Sequence, residues 1–131
     1  MTDWTDSQVT TKISPRTVQE TVARLTELLG SRGMKVFDVI DQSAAAGEAG
    51  LKLRATTLVL FGNPAAGTLV MDAVPLAALD LPLKVLIWAD GDQTKVSYYS
   101  PAALAARYGL SDELAAKIAG VDPLTDALVA S

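Results

Sequence analysis

Two apolar runs set the terms for this chain: LVLF at 58–61 and VLIW at 85–88. Each reads as a strand, because short runs of bulky and β-branched residues bounded by turn-formers suit an extended backbone. A strand with one face in water alternates apolar and polar residues, and these two do not. Both faces of the sheet that holds them therefore need a cover. Helices from a chain of 131 residues reach one face readily. The other face calls either for C-terminal helices that wrap around or for a second copy of the chain. A two-fold homodimer is the expectation.

The remaining elements fall into order around these runs. QVTTKIS, 7–13, reads as a first strand. Ser14-Pro15 then starts a helix, with Val18, Val22, Leu25 and Leu29 at helical spacing and Gly33 as its stop. Glu20 and Arg24 stand four apart on its exposed side, a weakly favourable pair. MKVFDVID, 34–41, is a second strand, and QSAAAGEAG, 42–50, a short helix. Strand three spans 54–62, helical or irregular crossover material spans 63–80, and strand four spans 82–90. GDQ turns the chain into strand five, 94–100, so the last two strands form a hairpin. Helices follow from Pro101, including one capped by Ser111 and one started by Asp122-Pro123. The expected class is α+β: β-α-β4-α, a largely antiparallel sheet with helices on one face and extra C-terminal helices. Residues 1–131 read as a single domain.

Composition removes whole classes of chemistry. There is no cysteine, which excludes disulfides, thiolate nucleophiles and cysteine-ligated metals. There is no histidine, hence no Ser-His-Asp triad and no imidazole base or zinc ligand. A net charge of −4 and scattered basic residues give no reason to bind nucleic acid or an anionic membrane. No apolar run approaches the roughly 20 residues that span a bilayer. The start, MTDWTDSQVT, lacks the basic and apolar segments of a signal peptide. A cytoplasmic protein with no metal and no cofactor is expected.

FGNPAAGT, 61–68, is the stretch closest to a motif. Gly62 and Gly67 have the spacing of a phosphate-binding loop after a strand. Thr68 stands where that loop needs lysine, and Leu69 where it needs a hydroxyl, so nucleotide triphosphates are not the ligand. The local reading is a turn at Gly62 and a helix capped by Asn63 with Pro64 in its first turn. Amides at such a helix start can also attract a carboxylate or phosphate group.

FGNPAAGT, then Met71, LDLPLK at 79–84, Tyr98 and Pro101, together with AGLKL at 49–53, resemble the family known as domain of unknown function 302. The resemblance runs from about Val18 to Leu110. It implies a compact α+β fold similar to a single TATA-binding-protein-like repeat, and homodimers. It brings no activity, substrate or catalytic residue, and the fold likeness does not import DNA binding. Many members carry Asp-His where this chain has Asp41-Gln42, and a histidine where it has Tyr108. Proton transfer or metal binding through those histidines is closed to this chain.

Other constellations are weaker. Asp80 and Lys84 flank Pro82, and a lysine beside an apolar strand can serve as a base, though pairing with a carboxylate is commoner. Asp90 and Asp92 hint at calcium without the loop that calcium needs. Tyr98, Tyr99 and Trp88 suit a pocket or a core, and alternation puts the two tyrosines on opposite faces. The expected function is non-enzymatic binding of a small molecule or partner protein by a homodimer. The candidate ligand-binding residues are Gly62, Asn63, Gly67, Thr68, Lys84 and Tyr98. The alternative is an enzyme using Asp41, Asp80, Lys84 or Tyr98 as acid or base.

Overall fold

The computed structural model describes residues 6–131; the first five residues, half of the MTDWTDSQVT stretch read against a signal peptide, lie outside the described part. The chain runs β1 (Val9–Ser14), α1 (Val18–Ser31), β2 (Lys35–Asp41), α2 (Gln42–Glu48), β3 (Thr56–Gly62) and α3 (Pro64–Ala73). A 3-10 helix (Pro75–Asp80), β4 (Leu83–Asp90), β5 (Gln93–Tyr99), α4 (Pro101–Tyr108), α5 (Asp112–Ala116) and α6 (Val121–Val129) complete it. The five strands form one sheet in the order β1-β5-β4-β3-β2, with every neighbouring pair antiparallel. The α+β expectation holds. The β4–β5 hairpin closes with Asp90 opposite Gln93, and Gly91 takes φ +61°, which a two-residue hairpin turn demands and a side chain resists.

Sheet parity decides which apolar residues meet the helices. Val59 and Phe61 of β3, Val85 and Ile87 of β4, and Val96 of β5 point to one face and are fully buried. They pack with Leu25 and Leu29 of α1 and with Leu124 and Leu128 of α6. Burying each such side chain contributes about 1.5–3 kcal/mol. A smaller cluster of Val70, Ala77, Leu104 and Ile118 ties α3 and the 3-10 helix to α4 and to the residues after α5.

The start of α1 differs from the expectation. Thr17, not Ser14, is the N-cap: its side chain accepts from the Glu20 amide, and the Glu20 carboxylate accepts from the Thr17 amide. This reciprocal capping box satisfies two orphan donors, which one serine followed by proline cannot do. Ser14 instead ends β1 and shares a buried hydrogen bond with Thr21 at 2.8 Å. Glu20 is thereby engaged at the cap, and Arg24 turns to α6, so the pair expected between them gives way. The Arg24 and Arg16 guanidiniums donate to the carbonyls of Ala127, Leu128 and Ala130. Cations at a helix C-terminus satisfy its free carbonyls and oppose its dipole.

Because α6 packs beside α1 against β1, both helices lie on one face of the sheet. The opposite face carries Val9, Thr11, Leu58, Leu60, Leu86, Trp88, Ser97 and Tyr99, by the register of the strands. Leu58, Leu60, Leu86 and Trp88 are half-buried there, and Ile13 and Tyr99 are 56% and 41% exposed. Of the C-terminal helices, α6 stays on the other face, and α4 reaches only the edge of this one, where Arg107 lies over Tyr99.

Candidate functional site

The FGNPAAGT stretch is where β3 leaves the sheet and α3 begins. Asn63 is the N-cap of α3, and its Oδ1 accepts from the Ala65 amide at 3.0 Å and the Ala66 amide at 3.3 Å. Pro64 has no amide to satisfy, and the Gly67 amide donates to the Asn63 carbonyl. The first-turn amides are thus engaged within the chain, and anion capture by a bare helix start has no donor here. Replacing Asn63 by Ala should lower stability by about 1 kcal/mol, seen as a fall in the urea midpoint.

What the turn does build is a cleft. It has a volume of about 160 Å³ and opens between β3, the β2 edge, α3, the start of β4 and the residues after α5. Gly62, Asn63 and Gly67 line it, with Phe37, Met71, Leu83 and Lys117 among their neighbours. Phe37 reaches it because the β2–β3 register slips between Val36 and Asp38, which re-aims one residue. A Cβ at Gly62 would lie in ordinary van der Waals contact, 3.8 Å from Phe37 and 4.0 Å from Pro82, both lining the cleft, so a side chain there would enter it.

The other three candidates lie elsewhere. The Thr68 hydroxyl donates to the Pro64 carbonyl at 2.7 Å, one turn back along α3. Lys84 sits on the open sheet face, beside Leu58, Leu86 and Tyr99. Tyr98 is on the helix side, where its hydroxyl donates to Asp122 at 2.5 Å and accepts from Thr125. Burial first, and then that donation to Asp122, push the Tyr98 phenol above its ordinary range. Lys12 completes this group, donating to Thr125 and pairing with Asp126 at 2.8 Å. The group locks β1 and β5 to α6.

Asp80 anchors a separate cluster. Its carboxylate accepts from the Tyr108 hydroxyl and from Arg107 at 2.9 Å, and Lys84 stands 3.8 Å away. Arg107 also donates to Gln8 and lies over the Tyr99 ring at 5.2 Å. The Tyr108 hydrogen bond foremost, and then Arg107 and Lys84, hold the Asp80 carboxyl below the usual range despite its burial. A carboxyl depressed in this way stabilises the fold above its unfolded pKa of about 4 and loses that contribution as pH falls further. Asp80→Asn should therefore cost about 1–3 kcal/mol at neutral pH. Its urea midpoint should also fall less steeply than the parent's below about pH 4.

This geometry makes Asp80 an ionic tie between the 3-10 helix, β4 and α4. Asp41 is similarly engaged, as the N-cap of α2, accepting from Ser43 and the Ala44 amide. Asp90 pairs with Lys95 at 2.7 Å across the hairpin. Among the described residues no three acidic side chains gather as metal ligands. Sequence reasoning missed Phe37, Lys117 and Arg107. Phe37 depends on a bulge, and the two cations depend on helices that meet the sheet only in the folded chain.

Comparisons with known proteins fit this architecture. The family described as Domain of unknown function DUF302 matches residues 9–128. A solved structure, the crystal structure of uncharacterized conserved protein DUF302 from Bacillus stearothermophilus, superposes with a TM-score of 0.79. The match covers 95% of this chain and 97% of that one at 21% sequence identity, a likeness of fold alone. The chain is also 42% identical over 115 residues to a protein named fluoride-specific ion channel FluC 1 from Brucella suis biovar 1 (strain 1330). That match covers 86% of this chain and 45% of the relative. Fluoride-specific ion channel FluC 2 from Brucella melitensis biotype 1 is likewise 42% identical, with 43% of it covered. The chain spans less than half the length of these relatives. Among the described residues no helix is long and apolar enough to cross a membrane. The family match extends past Val18 and Leu110, taking in β1, which pairs with β5, and most of α6, which packs in the core. Matched over residues 9–128, the chain belongs to the DUF302 family.

Proposed function

We propose that this chain is a small-molecule-binding domain that works as a two-fold homodimer and carries out no covalent chemistry. The observation that carries the reading is the cleft at the β3–α3 turn, concave and mostly apolar, with few polar groups. Such sites take small ligands. The carboxylates that could act as acids or bases are instead tied into caps and ion pairs. The open sheet face supports the dimer: a half-buried apolar surface of Leu58, Leu60, Leu86 and Trp88 is well suited to an identical partner.

Native mass spectrometry of the chain purified from its own host tests the reading. The expected species is protein carrying a retained organic molecule. Gly62→Val directs a side chain into the cleft and should lose that molecule while keeping the fold. No adduct on the parent chain, or an adduct unchanged in the variant, would overturn the assignment.

A further inference from the structure

Among the described residues two polar side chains line the cleft, Asn63 and Lys117. Lys117 is the sole ionisable one among the described residues that line it, and no carboxylate does. The Lys117 side chain has no hydrogen bond or ion pair among the described residues; its backbone amide donates to the Leu114 carbonyl. Asn63 supplies a second donor. Its Oδ1 is committed to two backbone amides, which only an oxygen can accept. That fixes the side-chain orientation and leaves Nδ2, with its two hydrogens, unengaged among the described residues. Lys35 adds positive charge nearby, with Nζ 4.8 Å from the Phe37 ring centroid. A chain of net charge −4 thus presents donors and no charged acceptor at this one concavity.

The rest of the wall is apolar: Phe37, Met71, Leu81, Pro82, Leu83 and Ile118. A volume of about 160 Å³ is close to the roughly 150 Å³ of an apolar cavity that holds benzene. Phe37 offers a ring face or edge, and Met71 a deformable thioether that adjusts to an occupant.

From these features we infer that the cleft takes a small monocarboxylate with a ring-sized apolar body. The carboxylate meets Lys117 Nζ and Asn63 Nδ2, and the body lies among Phe37, Met71 and Leu83. This rests on the reading of the cleft as a ligand site and adds the ligand class. A charged head on a partly exposed lysine gains from a charge-assisted hydrogen bond, and the apolar body gains from burial. A hard inorganic anion such as fluoride would forgo the second contribution and leave the apolar wall uncovered.

The test uses the full chain, amide-resolved NMR and four probes: benzoate, benzyl alcohol, benzylamine and sodium fluoride at matched ionic strength. Benzoate should shift the amides of residues 62–67 and 117–118. Benzyl alcohol should bind at the same amides at least about 10-fold more weakly, consistent with loss of one charged contact. Benzylamine and fluoride should leave these amides unmoved. Lys117→Met should weaken benzoate about 10-fold and leave benzyl alcohol unchanged, which separates lost charge from lost fold. Benzyl alcohol binding as tightly as benzoate, or fluoride or benzylamine shifting the same amides, would overturn the ligand class and leave the ligand site standing. If no aromatic probe moved these amides, the ligand site itself would fall.

Discussion

Phe61→Ala is expected to destabilise the fold by about 3–5 kcal/mol, the range for removing a large aromatic side chain from a core. Phe61 is fully buried and faces the helix side of β3. Its cross-strand neighbours are Val36 of β2 and Leu83 of β4, both packed on the same core. The cost has two parts, the lost transfer of the ring out of water and the cavity that strands held by neighbours on both sides cannot close. Domains of this size have about 5–15 kcal/mol in total, so the variant should unfold at markedly lower urea and temperature. Leu69, 53% exposed on α3, is the control: Leu69→Ala should move the midpoint little. Equal effects at the two positions would mean that Phe61 is not the centre of the core.

Leu86→Glu is expected to convert a dimer to a monomer. Leu86 lies mid-way along β4 on the open face, opposite Leu58 and Ser97 and next to Trp88 on that face. In the free chain it is only half-buried, so glutamate there leaves the fold intact. At a two-fold interface the substitution occurs twice, and each copy buries an unpaired charge. The dimer dissociation constant should rise on the order of 1,000-fold or more. Light scattering at micromolar concentration should give twice the chain mass of 13.7 kDa for the parent and once that mass for the variant. A parent chain that stays monomeric would leave the apolar face without its proposed partner. A variant that stays dimeric would move the interface to another surface.

Local sequence determined much of this protein. The order of strands and helices, the antiparallel hairpin and the caps at Asn63, Ser100 and Ser111 all depend on neighbours within a few residues. Thr17 and Glu20 were equally legible as a capping box, though Ser14-Pro15 is the more conspicuous signal. Parity of the two central strands was not legible. Alternation marks the buried face only when the faces differ in polarity, and LVLF and VLIW are apolar on both. The tertiary structure chose Val59, Phe61, Val85 and Ile87 for the helix side, because α1 and α6 bring their apolar stripes to that face. The cleft was legible only in part. Gly62, Asn63 and Gly67 announce a turn, and that turn forms one wall. Phe37 arrives through a register slip, and Lys117 through the docking of the segment after α5 on α3 and α4. Those placements depend on contacts between residues far apart in the chain, which no local period or spacing encodes.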